Sequence, residues 1–570
     1  MPPPPQPLER QEEVLPFSPI LELFLRWTSI RGSLKIPSNY PIMAFVTAMN
    51  SPPIRTHGVK GANTYTEEGV GDLRVTLFTQ LVRGANLFYD VLKRCLAKYP
   101  EDTCVLAFQT RDIRGGKGER ELGRFMLKVI LKDRPDLAST LIPLIPEYGR
   151  WDDVWSLYGI SDTVSAVVDS VVLEQFRLDQ ESERPSLLAK WLPRQHSADY
   201  KTKDLATRFA TLFFPLTPDA KGQREMRYRK TVAFLNKRLG TTEINMCGQR
   251  WATIEPAHVP GQLFKKNDNA FFNKVKVGRH TKSRGDVPDR VECAKHFKEY
   301  MASVKKGEVV MKGGDTTMPN EHVKKIIHSL YDEESDSVIQ AQWEAIRATT
   351  AAEGGLGRSV FLCDFSGSMS GEPIEVSLAM GILGSELADP AFRNHILTFD
   401  AEPKWHQFPE GQTLRRKIDS MYGKGQGLNT NFLAACALVL EKLVEHKVAQ
   451  CDAPTHLIVV TDMGFDKANK EGAWETQFQK VRSDFQAQGY EPPLIVCWNV
   501  SDKYSRDAHA KAHEVGVVQL SGWSPSVLKA IQTGVTVETP YQGLRVLLDH
   551  SRYDKVRAEV YPKREMVFSP

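Results

Sequence analysis

From Asn63 to about Ile346, apolar positions recur every three to four residues. "LRVTLFTQLVRGANLFYDVLKRCLAKYP" keeps that spacing and stops at a proline, and "GERELGRFMLKVILKDRP", "LASTLIPLIPEYG" and "DDVWSLYG" repeat the pattern. The spacing predicts short amphipathic helices joined by tight turns. Stacked helix pairs of this kind build an irregular, HEAT-like α-solenoid, which can close into a ring; no fixed repeat length is visible. After Gly354 the period changes. "SVFLCDF", "HILTFD", "THLIVVTD", "PLIVCWNV" and "GVVQLSG" are short, β-branched apolar runs separated by helical patterns. Strands alternating with helices predict a doubly wound parallel sheet, Rossmann-like in its layering. The fold class expected is therefore all-α followed by α/β. The divisions are a disordered or weakly ordered tail over 1–35 with one apolar helix, "ILELFLRWTSI"; a helical region over 36–350; an α/β domain over 351–535; and a tail over 536–570 that packs back on the helical region, with "PYQGLRVLLDHSRYD" as its helix.

Composition narrows this picture only a little. A chain of 570 residues with 41% hydrophobic and 25% charged residues has material for more than one ordinary core. A net charge of +4 leaves any anionic partner to a local basic patch. The eight cysteines form no C-x-x-C pair, which excludes a zinc ribbon and suits a reducing compartment. No run of 18 apolar residues predicts a membrane span, and "MPPPPQPLER" lacks the apolar centre of a signal peptide. The expectation is a cytoplasmic monomer, with a nuclear location as the alternative.

The chemistry gathers at the ends of the predicted strands. "VFLCDFSGSM" ends an apolar strand in Asp364, Ser366 and Ser368; "GQGLNTNF" brings Thr430 before a helix, and "VVTDMGFD" brings Asp462 to the end of another strand. Ligands of doubly wound sheets bind beyond the carboxyl ends of the strands. Two carboxylates with hydroxyls form an all-oxygen set suited to a hard cation such as Mg²⁺, with Ca²⁺ or Mn²⁺ as alternatives. Two carboxylates without a lysine nearby repel each other unless a cation sits between them. The competing reading makes Ser366 and Ser368 caps of the next helix. D-x-S-x-S with a distant Thr and a distant Asp resembles the metal-ion-dependent adhesion site of von Willebrand factor A domains. That resemblance implies a site with one coordination position left for an acidic residue of a partner.

Helices followed by such a domain resemble the Ro autoantigen (TROVE) architecture, which implies a helical ring and RNA binding. "RDIRGGKGER", "YGRWDDVW", "LLAKWLPR" and "CDFSGSMSGEPIEVSLAMGIL" resemble the uncharacterised family called domain of unknown function 2828, over about Asn63 to Tyr553. Two basic stretches are candidate RNA contacts. Arg111, Arg114, Lys117 and Arg120 lie in "RDIRGGKGER", which otherwise reads as a glycine-capped turn between helices. Arg224, Arg227, Arg229, Lys230, Lys237, Arg238, Lys265 and Lys266, with Lys274, Lys276, Arg279, Lys282 and Arg284 after them, could neutralise phosphates, while Tyr228, Phe271 and Phe272 stack on bases. The competing reading is a solvated helix face with its aromatics turned inward. Asp152 and Asp153 in "GRWDDVW" read as helix-start acids with Trp151 and Trp155 in the core. No H-E-x-x-H, G-x-S-x-G or paired Cys/His pattern is present. The sequence thus points to a non-enzymatic, Ro-like RNA-binding protein with a divalent-cation site for an acidic protein partner; the alternative is a metal-dependent protein scaffold without RNA.

Overall fold

The five β-branched runs form five adjacent strands of one six-stranded sheet. The computed structural model describes residues 54–560 apart from 196–198, 216–220, 278–279, 312, 399–402, 423–430, 466–474 and 533; the expected tail helix "ILELFLRWTSI" lies outside the described residues. In chain order the strands are β1 (Arg55–His57), β2 (Asn63–Tyr65), β3 (Lys274–Val277), β4 (His280–Ser283), β5 (Ser359–Cys363), β6 (His395–Thr398), β7 (Lys404–Gln407), β8 (His456–Thr461), β9 (Leu494–Asn499) and β10 (Val517–Ser521). The last six make a sheet in the order β10-β9-β8-β5-β6-β7. Its pairs are parallel except β6 with β7. Numbered by appearance and read from β7, the order is 3-2-1-4-5-6, so connections leave β5 and β8 in opposite directions.

Alternation along β5 divides the core into two faces. Val360 and Leu362 pack with the helices Phe432–Glu445 and Gln477–Ala487. Phe361 and Cys363 pack with the helix Glu372–Leu387, and this core runs on without a break into the N-terminal helices. Helix and sheet approach closely here: a Cβ on Gly384 would lie 2.0 Å from the Phe361 ring. An alanine at that position would push the helix off β5.

The helical region is organised around the helix Pro100–Arg111, which is buried at every position from Asp102 to Arg111. Proline at its first turn loses no helical hydrogen bond, so Pro100 begins this helix while the preceding one ends at Lys98. The last described helix, Asp554–Val560, packs against it, and Arg545 of the helix Pro540–Leu548 bridges back to Asp102 at 2.7 Å. Tyr148 Oη donates to the Arg552 carbonyl at 2.6 Å. A second small core gathers Phe264, Phe271, Phe297 and Met301, with Phe271 stacked on Phe297 at 4.5 Å.

Two features depart from the expected division. The antiparallel hairpin β3–β4 interrupts the region read as nearly all helix. The antiparallel hairpin β1–β2 sits in the sequence before the helices but packs on the α/β domain. Tyr65 N donates to Ala508 O at 2.7 Å, Asn63 Nδ2 donates to Glu475 O at 2.8 Å, and Ala62 joins the second sheet face.

Candidate metal centre

β5 is paired on one side with β6 and on the other with β8, so the carboxyl ends of β5 and β8 meet at the switch point of the sheet. Asp364 extends the ladder by one step, its N–H donating to Val460 O at 3.0 Å. Its carboxylate then turns the chain. Oδ1 accepts from Ser366 N at 2.9 Å and Oδ2 from Thr461 Oγ1 at 2.8 Å. That turn brings Ser366 Oγ within 3.0 Å of Ser368 Oγ. At the end of β8, Asp462 Oδ1 accepts from Gly464 N at 3.0 Å. The intervening Met463 has φ of +72°, a left-handed conformation seldom adopted by a long side chain, and such strain persists only where neighbours fix it. The ring of Tyr504 lies so close to Gly464 that a Cβ there would be 2.5 Å from it.

Asp364 and Asp462 are both fully buried. Burial, and then the charge of Asp462, push the Asp364 carboxyl up to about 6. Asp507, which accepts from Val59 N at 2.9 Å, is also raised by burial, with Asp462 contributing. The Oδ2 atom of Asp462 is buried and has no hydrogen-bond partner. An ionised oxygen in that position is costly unless a cation meets it. The chemistry of the donors suits a hard divalent ion: one orphaned carboxylate oxygen, a second buried carboxylate, and two hydroxyls 3.0 Å apart. Among the described residues no three His, Cys, Asp or Glu side chains cluster, so the hydroxyls and water would complete the shell. Thr430 lies outside the described residues; the helix after it starts at Phe432 with Asn431 as its cap.

Sequence reading supposed no lysine near the carboxylates. Two lysines reach the neighbouring Ser368. Lys60 Nζ, from the turn between β1 and β2, donates to Ser368 Oγ at 3.3 Å, and Lys503 Nζ donates to the Ser368 carbonyl at 3.4 Å. Lys60 is 308 residues away in sequence, and no local pattern marks it.

The basic candidates fare unevenly. Arg111 and Lys117 are corrected. Arg111 is buried and held by Asp153 through Nε at 2.8 Å and Nη2 at 2.6 Å. Lys117 is fully buried and donates to Phe78 O at 2.8 Å, Leu81 O at 2.9 Å and Ser521 Oγ at 2.6 Å. Burial drives its ammonium well below the ordinary lysine range. Neither side chain reaches solvent where a phosphate could meet it. Asp153 also takes Arg124 and the Arg150 N–H, so it joins three segments as well as starting a helix. Arg114 and Arg120 are exposed, Arg120 beside Glu121 at 2.8 Å.

On the helix Lys221–Leu239, Arg227, Arg229, Lys230 and Lys237 are exposed, while Arg224 and Arg238 are half-buried. Arg229 donates to Gln195 at 2.6 Å and Arg238 to the Gln180 and Ser182 carbonyls. Lys265 is paired with Glu321, Lys266 is exposed, and Lys274 pairs with Asp332 at 2.7 Å. Lys276, Lys282 and Arg284 are exposed, and Arg279 lies outside the described residues. Stacking by Tyr228, Phe271 and Phe272 is corrected too, since all three are buried. The exposed aromatic on this helix is Phe234, at 56%, which sequence reasoning missed.

Two family models match the chain. The domain of unknown function 2828 matches residues 167–356, and the domain of unknown function 7788 matches residues 358–567. The border between them falls just before β5. Of the stretches that carry the resemblance to the first family, "LLAKWLPR" lies within its matched residues; "RDIRGGKGER" and "YGRWDDVW" precede them, and "CDFSGSM" falls in the second match. An uncharacterized protein of Acanthamoeba polyphaga mimivirus is 26% identical over 503 residues, which is 82% of this chain and 84% of that one. The crystal structure of the Deinococcus radiodurans Ro (RSR) protein is 12% identical, covers 83% of this chain and 93% of its own, and aligns with a TM-score of 0.29. No helix among the described residues is long and apolar enough to cross a membrane.

Proposed function

We propose that the chain is a non-enzymatic interaction scaffold, with a von Willebrand A-like α/β domain held against an irregular α-solenoid. In this reading Asp364, Ser366, Ser368 and Asp462, with Thr430, hold one divalent cation, Mg²⁺ by preference. The bound ion supplies an electrophilic position for an Asp or Glu side chain of a protein partner. The observation that carries the reading is the buried, unpartnered Oδ2 of Asp462 beside the equally buried Asp364. Asp364 spends its own oxygens on Ser366 and Thr461, which fixes the loop and keeps both serine hydroxyls in place. Among the described residues, Lys60 and Lys503 are donors to Ser368. Eight free cysteines agree with a cytoplasmic setting.

Thermal unfolding tests this. Mg²⁺ at about 100 times its dissociation constant should stabilise the chain by about 2.7 kcal/mol, and Asp364→Asn should remove the effect. A parent whose melting temperature ignores Mg²⁺, Ca²⁺ and Mn²⁺ would end the proposal.

RNA binding stands as a second reading on one observation. Arg227, Lys230, Phe234 and Lys237 recur at helix-neighbour spacing and are all exposed, a basic stripe with a stacking platform. If it binds single strands, a salt titration should show affinity falling with ionic strength for every sequence alike.

A further inference from the structure

The hairpin β1–β2 reaches over the strand ends from the far end of the chain. Its turn is closed by Gly58 N to Ala62 O at 2.8 Å and Gly61 N to Gly58 O at 2.9 Å. Gly58 lies so close to Asp507 that a Cβ would be 2.4 Å from its Oδ2, and the next N–H, of Val59, donates to that same oxygen. The turn is thereby anchored beside the acidic site, and it delivers Lys60. The Lys60 ammonium is half-buried, donates to Ser368 Oγ, and lies 5.3 Å from the centroid of the Tyr504 ring. Lys503 is exposed and reaches only the backbone oxygen of Ser368. Of the two lysines, Lys60 alone holds a side-chain oxygen that a divalent ion would need.

One hydroxyl cannot serve both charges comfortably. An ammonium on Ser368 Oγ and a divalent ion coordinated by the same atom would stand a few ångströms apart, in a site whose walls are buried and weakly screened. Lysine is a compact charge on a flexible stem and can withdraw. β1 is exposed throughout, whereas Ala62, Thr64 and Tyr65 stay buried, so the turn that carries Lys60 can shift while β2 remains packed.

We propose that Lys60 is a built-in competitor of the divalent cation at Ser368, so that cation binding and the docked β1–β2 turn exclude each other. This rests on the cation reading above and names the regulation of that site. Binding of the ion releases the turn and uncovers the face on which the acidic partner sits; conversely, a docked Lys60 raises the cation concentration needed to arm the site.

The test is Mg²⁺ titration calorimetry on the full chain, for the parent, Lys60→Met and Lys60→Arg. Removing the competing charge should tighten Mg²⁺ binding roughly tenfold in Lys60→Met, while Lys60→Arg stays near the parent. Hydrogen exchange read at Val59–Ala62 gives a second measure that needs no substitution: Mg²⁺ should speed exchange there in the parent and leave Asp364→Asn unchanged. Equal or weaker Mg²⁺ binding by Lys60→Met, or unaltered exchange in a Mg²⁺-saturated parent, overturns the competition and leaves the cation site standing. Absence of Mg²⁺ binding by both the parent and Lys60→Met overturns the cation site itself, and the competition with it.

Discussion

The strand-end site and the hub around the helix Pro100–Arg111 are both rich in charge, yet they dispose of it in opposite ways. In the hub these buried charges are matched within the chain: Arg111 and Arg124 meet Asp153, and Lys117 meets two carbonyls and a hydroxyl. At the strand ends two carboxylates are buried together, and one oxygen has no partner. The lesson is that charge density alone does not mark a binding site. What separates the two regions is whether the protein satisfies its own buried charges; Gln109 and Thr110 of the hub also keep buried side-chain atoms without a partner, but those groups are neutral.

The hub should therefore fail by unfolding. Asp153→Ala leaves Arg111 buried without its counter-ion, and we expect a loss of about 3–5 kcal/mol in a urea titration. A loss below about 1 kcal/mol would break the contrast. Lys117→Ala strips a donor from Phe78 O, Leu81 O and Ser521 Oγ, atoms that join the helical region to the end of β10. A cost of about 3 kcal/mol is expected from those unsatisfied groups and the vacated volume. The same change should leave cation affinity as it was, and a large change there would show the regions to be coupled.

Acid sensitivity provides a finer probe. His322 is fully buried, with Nε2 2.7 Å from Thr317 Oγ1. Burial first, and the nearby Lys265 next, lower its pKa to about 3. The folded state thus holds it neutral, while the unfolded chain protonates it near 6.5. Its contribution is fully present above pH 6.5 and is lost as pH falls toward 3, at up to about 1.4 kcal/mol per pH unit. His322→Gln should flatten that slope in pH-dependent unfolding, and an unchanged slope would refute the assignment.

The smallest effect belongs to the exposed stripe. Substituting Arg227, Lys230 and Lys237 together by Gln should change stability by no more than about 0.5 kcal/mol per site. If the stripe binds RNA, the salt slope of affinity should drop by about one unit for each phosphate left without its cation. An unchanged slope would leave the scaffold reading without a nucleic-acid branch.

How much of this could be read from the sequence follows from the range of the interactions involved. β5, β6, β8, β9 and β10 were legible because each is a buried apolar run with turn residues after it, and Asp364 and Asp462 because a parallel sheet fixes where its strand ends lie. β7 was missed: "KWHQ" is a short edge strand with exposed, polar residues. β3 was missed although "KVKV" alternates, because its lysines were counted as a phosphate surface rather than as the outer face of a ribbon. The fate of Arg111, Lys117 and Lys265 depended on partners 36 to 404 residues away, so spacing could not distinguish a satisfied cation from a free one. Lys60 was out of reach for the same reason.

The central claim is that Asp364 and Asp462 exist as a pair to hold a cation. Titration of Mn²⁺ into the full chain, with free ion followed by electron paramagnetic resonance, tests it most directly. The account predicts one site per chain, displaced by Mg²⁺, and a loss of affinity of about 100-fold or more in Asp462→Asn, where the orphaned oxygen becomes an uncharged amide group. A parent that takes up no Mn²⁺, or an Asp462→Asn variant that binds it as tightly as the parent, would contradict it.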